Sequence, residues 1–173
     1  VRVDGREPMP TFAALVDAFP DARLTVDLKS DAAVGPMIRT LEQRPELLER
    51  LCLGSFSSAR VEQVRARFGD RLLSAATPRE VLRLLAAVRL RRRPPTIVGR
   101  CIAVPERYPE ARRGVAIADA RLLELADAIG VSVHVWTVND PARMRALVAA
   151  GAAGIVTDEL SALREVLEAD GHW

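Results

Sequence analysis

Long apolar runs are missing from this sequence. No stretch approaches the ~18 residues that a membrane-crossing helix needs, and the first residues do not read as a secretion leader. Charge of one sign is missing too: 25 basic residues face 23 acidic ones, a net charge of only +2. That balance offers no field for a polyanion to follow, so a nucleic-acid partner is not expected. Cysteine is scarce. Cys52 and Cys101 each lie in a short apolar run, which fits buried free thiols in a reducing compartment better than a disulfide. Together these absences predict a cytoplasmic location and no membrane span. The G-x-G-x-x-G turn of dinucleotide folds is absent, and no serine has a histidine at a spacing that suggests a hydrolase triad.

Lysine is scarcer still. Lys29 is the only one, and the other 24 basic residues are arginine. The first residue is valine rather than methionine, so either an upstream part is missing or a GTG start codon has been translated literally.

What is present is apolar and regularly spaced. Hydrophobic residues make up 49% of the 173, enough to bury the core of one domain. Strand-like runs fall at residues 23–29, 51–56, 71–75, 101–104, 131–138 and 154–157. Between them, apolar residues recur at helical spacing over 34–41, 59–68, 81–90, 118–129, 142–149 and 160–167. A further helix over 11–19 precedes the first strand, with Thr11 as its N-cap. Asp140-Pro141 places a cap and a first-turn proline at the start of another. The run Arg91-Arg92-Arg93 before Pro94-Pro95 reads as a solvated helix end breaking into a turn.

This alternation argues for a parallel sheet covered by helices. Polar or special residues recur where strands hand over to helices: Asp27 and Lys29, Ser55, Thr77, Trp136 and Asn139, Thr157 and Asp158. Such a gathering at many strand ends favours a TIM-type (β/α) barrel over an open sheet.

Asp27 and Lys29 are two apart on a strand, so both project to one face. A carboxylate and an ammonium there suit metal-assisted phosphate chemistry, the acid ligating a hard cation and the amine stabilising phosphoryl charge. A simple ion pair explains the spacing equally well. What tips the reading towards function is that an arginine-rich composition keeps its one ammonium here, and the two cations are not interchangeable. Trp136 at a strand end can wall a ligand pocket. Asn139 either donates to a substrate oxygen or organises the turn before Asp140. His134 lies deeper on the same strand and reads as a core histidine bonded to a neighbour, His172 as tail. Asp158 reads as the cap of the last helix.

The order of these pieces resembles the glycerophosphodiester phosphodiesterase family. The resemblance rests on MPTFAALVDAFPDARLTVDLKS, on GSFSSARVEQVR with its serine–phenylalanine strand end, and on VHVWTVNDPARMRALVAAGAAGIVTDEL. It implies that residues 1–173 are a partial domain of that family, the last six strand–helix units of a barrel lacking its first two. It also implies metal-dependent hydrolysis of glycerophosphodiesters to an alcohol and glycerol 3-phosphate. Asp27 then matches a metal-ligand carboxylate, where glutamate is commoner, and Lys29 the active-site lysine. Trp136 and Asn139 match the substrate wall, with Ser55 a further substrate contact. The cofactor would be a divalent ion, calcium or magnesium, with most of its ligands outside this chain. The family's opening His-Arg-Gly and His-Asp motifs do not occur here, and the only Glu-x-Asp, at residues 168–170, stands near the far end of the chain rather than at its front. Two expectations follow: the chain alone does not catalyse the reaction, and open edges at 23–29 and 154–157 promote self-association. The alternative is a catalytically dead barrel fragment acting as a binding or interaction module. A different phosphate-using barrel would show a glycine-rich loop after the last strands, for which Gly151 and Gly154 are too sparse.

Overall fold

The computed structural model describes residues 2–3, 7–108 and 114–172. A short antiparallel pair, β1 (Arg2–Val3) and β2 (Glu7–Pro8), precedes α1 (Phe12–Ala18). Then follow β3 (Leu24–Asp27), α2 (Val34–Gln43), β4 (Leu51–Gly54), α3 (Ser58–Phe68) and α4 (Pro78–Leu90). After β5 (Cys101–Pro105) comes a small antiparallel excursion, β6 (Arg107–Tyr108) with β7 (Val115–Ala116). The chain ends with α5 (Ala120–Ala128), β8 (Ser132–Trp136), α6 (Pro141–Ala149), β9 (Gly154–Ile155) and α7 (Leu160–Ala169).

All the long-range strand pairings are parallel. β3 pairs with β4, and β5 with β8, which pairs in turn with β9. The predicted third strand, 71–75, is reduced to two isolated bridges, Leu53 to Ser74 and Ala75 to Cys101, which link the two groups. Its start is lost because Gly69–Arg71 coil into a 3₁₀ turn led by Gly69 at φ 57°. Its end is cut short by the helix start at Thr77, whose side chain accepts from the Glu80 amide while Glu80 accepts from the Thr77 amide.

Strand alternation divides the side chains by face. Leu51, Leu53, Ile102, Val104, Val133 and Val135 are buried against the helices in two cores. On the opposite, inner face Thr25, Ala103 and Ser132 are exposed and Asp27, His134 and Trp136 half-buried, while Cys52, Gly54 and Cys101 are buried. A closed parallel barrel buries both faces of its strands; here the inner one stays open to solvent along much of its length. Helix starts follow the sequence closely: Thr11, Asp119 and Asp140 each accept an amide from the first turn. α4 stops at Arg91, an exposed left-handed C-cap at φ 51°. No helix among the described residues is long and apolar enough to cross a membrane.

Candidate active site

Three strands deliver side chains to one mouth. Asp27 ends β3 level with Gly54 of β4, and Lys29 follows two residues later, on the same side. Lys29 Nζ donates to Asp27 Oδ2 at 2.5 Å, with the lysine side chain 74% exposed and the aspartate 32%. A surface pair of this kind contributes only ~0–1 kcal/mol to folding. The other carboxylate oxygen, Oδ1, is buried and has no hydrogen-bond partner. An unpaired buried carboxylate oxygen is costly unless a cation or a donor completes it.

Two aromatic rings border this pair. Lys29 Nζ lies 5.1 Å from the centroid of the Phe56 ring, within cation–π range. Phe56 in turn meets Trp136 edge-on, with centroids 6.3 Å apart. Phe56 is 71% exposed, just past β4, while Trp136 at the end of β8 is half-buried. Aspartate, lysine and both rings thus form one contiguous patch drawn from β3, β4 and β8. Phe56 escaped the sequence reading as a site residue, although an aromatic at a strand end next to a candidate serine was the available signal.

Two other predicted site residues prove bonded within the protein. Ser55 Oγ donates to the Leu28 carbonyl at 2.6 Å and accepts the Ser57 amide at 3.1 Å. Its single proton ties β3 to β4 and is not free for a ligand. Asn139 Oδ1 accepts from Thr157 Oγ1 at 2.9 Å and from the Asp158 amide at 3.0 Å, and Nδ2 donates to Asp158 Oδ2 at 3.3 Å. It therefore organises the turns after β8 and β9. Asp158 does not cap α7. The N-cap there is Glu159 without a side-chain bond, and Thr157 Oγ1 takes the Glu159 amide instead.

His134 is half-buried on the inner face, below Trp136 on β8 and opposite Gly154. The predicted bond to a neighbour is absent among the described residues. The ring packs where a Gly154 side chain would stand, a Cβ there coming within 2.8 Å of Cδ2. Burial lowers its pKa below the ordinary 6.5. His172 is exposed near the chain end. No cluster of three or more His, Cys, Asp or Glu suited to a metal ion exists among the described residues. Asp27 with its orphaned oxygen fits one ligand of a hard divalent cation and supplies no more than that.

Comparison with known proteins gives a consistent picture. The model of the glycerophosphoryl diester phosphodiesterase family matches residues 9–162. A Mycobacterium tuberculosis protein named probable glycerophosphodiester phosphodiesterase 2 is 31% identical over 96% of this chain. The match covers 63% of that relative, so the chain spans less than two thirds of its length. The solved glycerophosphodiester phosphodiesterase of Parabacteroides distasonis superposes with a TM-score of 0.73 at 17% identity, over 99% of this chain and 69% of that one. Its counterpart from Agrobacterium tumefaciens gives 0.63 at 16%, over 92% and 62%. At those identities the two structures speak for the TIM-barrel-like α/β fold.

Proposed function

This chain belongs to the glycerophosphoryl diester phosphodiesterase family, and from that premise we propose that its mouth is the phosphate-binding part of a site that hydrolyses glycerophosphodiesters. The products of that reaction are an alcohol and glycerol 3-phosphate. The observation that carries the reading is the half-satisfied Asp27 carboxylate with the only lysine of the chain bonded to its other oxygen.

Each residue then has a stated task. Asp27 Oδ1 would hold a divalent cation, magnesium or calcium, which when bound would offset the negative charge of the phosphoryl oxygens. The Lys29 ammonium swings from Asp27 Oδ2 to a non-bridging phosphate oxygen; its exposure leaves that motion unobstructed. It offers a fixed charge where negative charge gathers in the transition state. Trp136 and Phe56 wall the glycerol and alcohol carbons and exclude water from one side. Ser55 and Asn139 act as positioning residues, fixing the turns that carry Phe56 and border Trp136.

Acid–base chemistry has no owner in this patch. A diester needs a proton at its leaving oxygen and a base for its nucleophile, and among the described residues neither histidine is bonded to the Asp27–Lys29 pair. We therefore assign binding of the phosphate and cation to this chain and infer that its 173 residues alone do not turn over. The test is calorimetric titration of the chain with glycerol 3-phosphate, with and without magnesium or calcium. Cation-enhanced binding that weakens ~10-fold or more in Lys29→Met, the scale on which a hydrogen-bonded charge contributes, supports the reading. Equal binding by the variant overturns it.

A further inference from the structure

Two thiols lie outside the chemistry of the mouth. Cys52 on β4 and Cys101 on β5 hold their sulfurs 3.4 Å apart. They are buried with Ala75 in a small cluster separate from both helix-packed cores. Both are free thiols, and the chain has no other cysteine.

Their strands do not pair with each other. Ser74 bridges to Leu53 and Ala75 to Cys101, so the width of a strand lies between them. Two inter-strand steps of ~4.8 Å, drawn in by the curvature of the sheet, place the backbones ~8–9 Å apart. That exceeds the ~7 Å beyond which a disulfide cannot close without backbone movement. The side chains nevertheless lean together across Ala75. An ion can span such a gap where a sulfur–sulfur bond cannot. Two metal–sulfur bonds of ~2.3 Å at a tetrahedral angle hold their sulfurs ~3.7–3.8 Å apart, close to the separation already present.

We propose that Cys52 and Cys101 form a chelating site for a thiophilic divalent cation of the zinc and cadmium class. Binding makes two metal–sulfur bonds and releases the two thiol protons to solvent. No third His, Cys, Asp or Glu completes a cluster among the described residues, so water or a small thiol fills the remaining positions. The two cysteines are buried, and their partners in strand register, Thr25 beside Cys52 and Ser132 beside Cys101, are both exposed. One thiol donates to the other's sulfur across that gap. The site is chemically separate from Asp27, because thiolates select soft ions and a carboxylate selects hard ones.

The test titrates the reduced chain with cadmium in the presence of excess magnesium. The expected result is a thiolate-to-cadmium charge-transfer absorption that saturates at one ion per chain and is lost in both Cys52→Ser and Cys101→Ser. Cadmium also protects both native thiols from alkylation by a maleimide, a readout that needs no variant to fold. Absence of the absorption with an unchanged alkylation rate overturns the site, as does cadmium binding that survives both substitutions. Ready closure to a disulfide in the folded chain contradicts the spacing on which the site rests.

Discussion

Lys29 Nζ stands 2.5 Å from one oxygen of Asp27 while the other oxygen of that carboxylate is buried with nothing bonded to it. A pair built for stability would satisfy both oxygens. One oxygen left over, beside a largely exposed ammonium, is instead an arrangement ready to receive a cation and an anion together.

The stability cost of breaking that pair is accordingly small. Lys29→Met is expected to shift unfolding by no more than ~1 kcal/mol, as measured by urea denaturation, while weakening glycerol 3-phosphate binding. Asp27→Asn should lose magnesium or calcium affinity in the same calorimetric experiment. A variant that binds the cation normally would remove Asp27 from the ligand set.

Glu80 predicts the opposite balance. Burial alone would raise its pKa, but hydrogen bonds from the Thr77 and Val98 amides and the charge of Arg65 hold it below the ordinary 4.5. Arg65 also bonds Ser74 Oγ and the Ala75 carbonyl, so this network secures the weakest strand of the sheet. Because the folded carboxyl titrates below the unfolded one, its stabilisation is complete above pH ~4.5 and is lost as pH falls through the folded pKa. Glu80→Gln leaves the half-buried Arg65 charge without its carboxylate and should cost ~1–3 kcal/mol, with a flatter acid limb in thermal melts against pH.

Gly154 and His134 should couple. A Cβ at Gly154 would meet the imidazole Cδ2 at 2.8 Å, too close without a shift. Gly154→Ala is expected to destabilise by ~1–3 kcal/mol, as overpacking does. His134→Ala should recover much of that loss in a double-mutant cycle. Since burial lowers the folded pKa of His134, the unfolded chain takes up that proton first. Stability should therefore fall as pH drops below ~6.5 and level off once the folded imidazole is protonated, a limb missing in His134→Ala.

Within the described residues β3 and β9 each pair on one side only. Such edges offer unpaired backbone groups, and the isolated chain is expected to associate as its concentration rises. Analytical ultracentrifugation checks this, and a single monomeric boundary at all concentrations would contradict it.

The elements most readable in the sequence were those whose ends carry their own chemistry. Asp140-Pro141 fixed the start of α6, Thr11 that of α1, and the β-branched run through Val133 and Val135 marked β8. Residues 71–75 were harder because a strand held by two bridges leaves only a short apolar run to read. The β6–β7 excursion was invisible, since two-residue strands have no period. In the site, Asp27, Lys29 and Trp136 were legible from residue type and position. The bonds that occupy Ser55 and Asn139 were not, because a hydroxyl or an amide facing a ligand has the same sequence signature as one facing a backbone turn. Phe56 joins the site through its contacts with Lys29 and Trp136, for which its place at a strand end beside Ser55 was the one local signal.

The most direct test incubates the purified 173-residue chain with a glycerophosphodiester and magnesium or calcium and measures release of glycerol 3-phosphate beside the Lys29→Met variant. The division of labour proposed for this mouth predicts binding without turnover, with no release above that of the variant. Metal-dependent release that Lys29→Met abolishes would contradict it, and would show that these residues alone supply the acid and base.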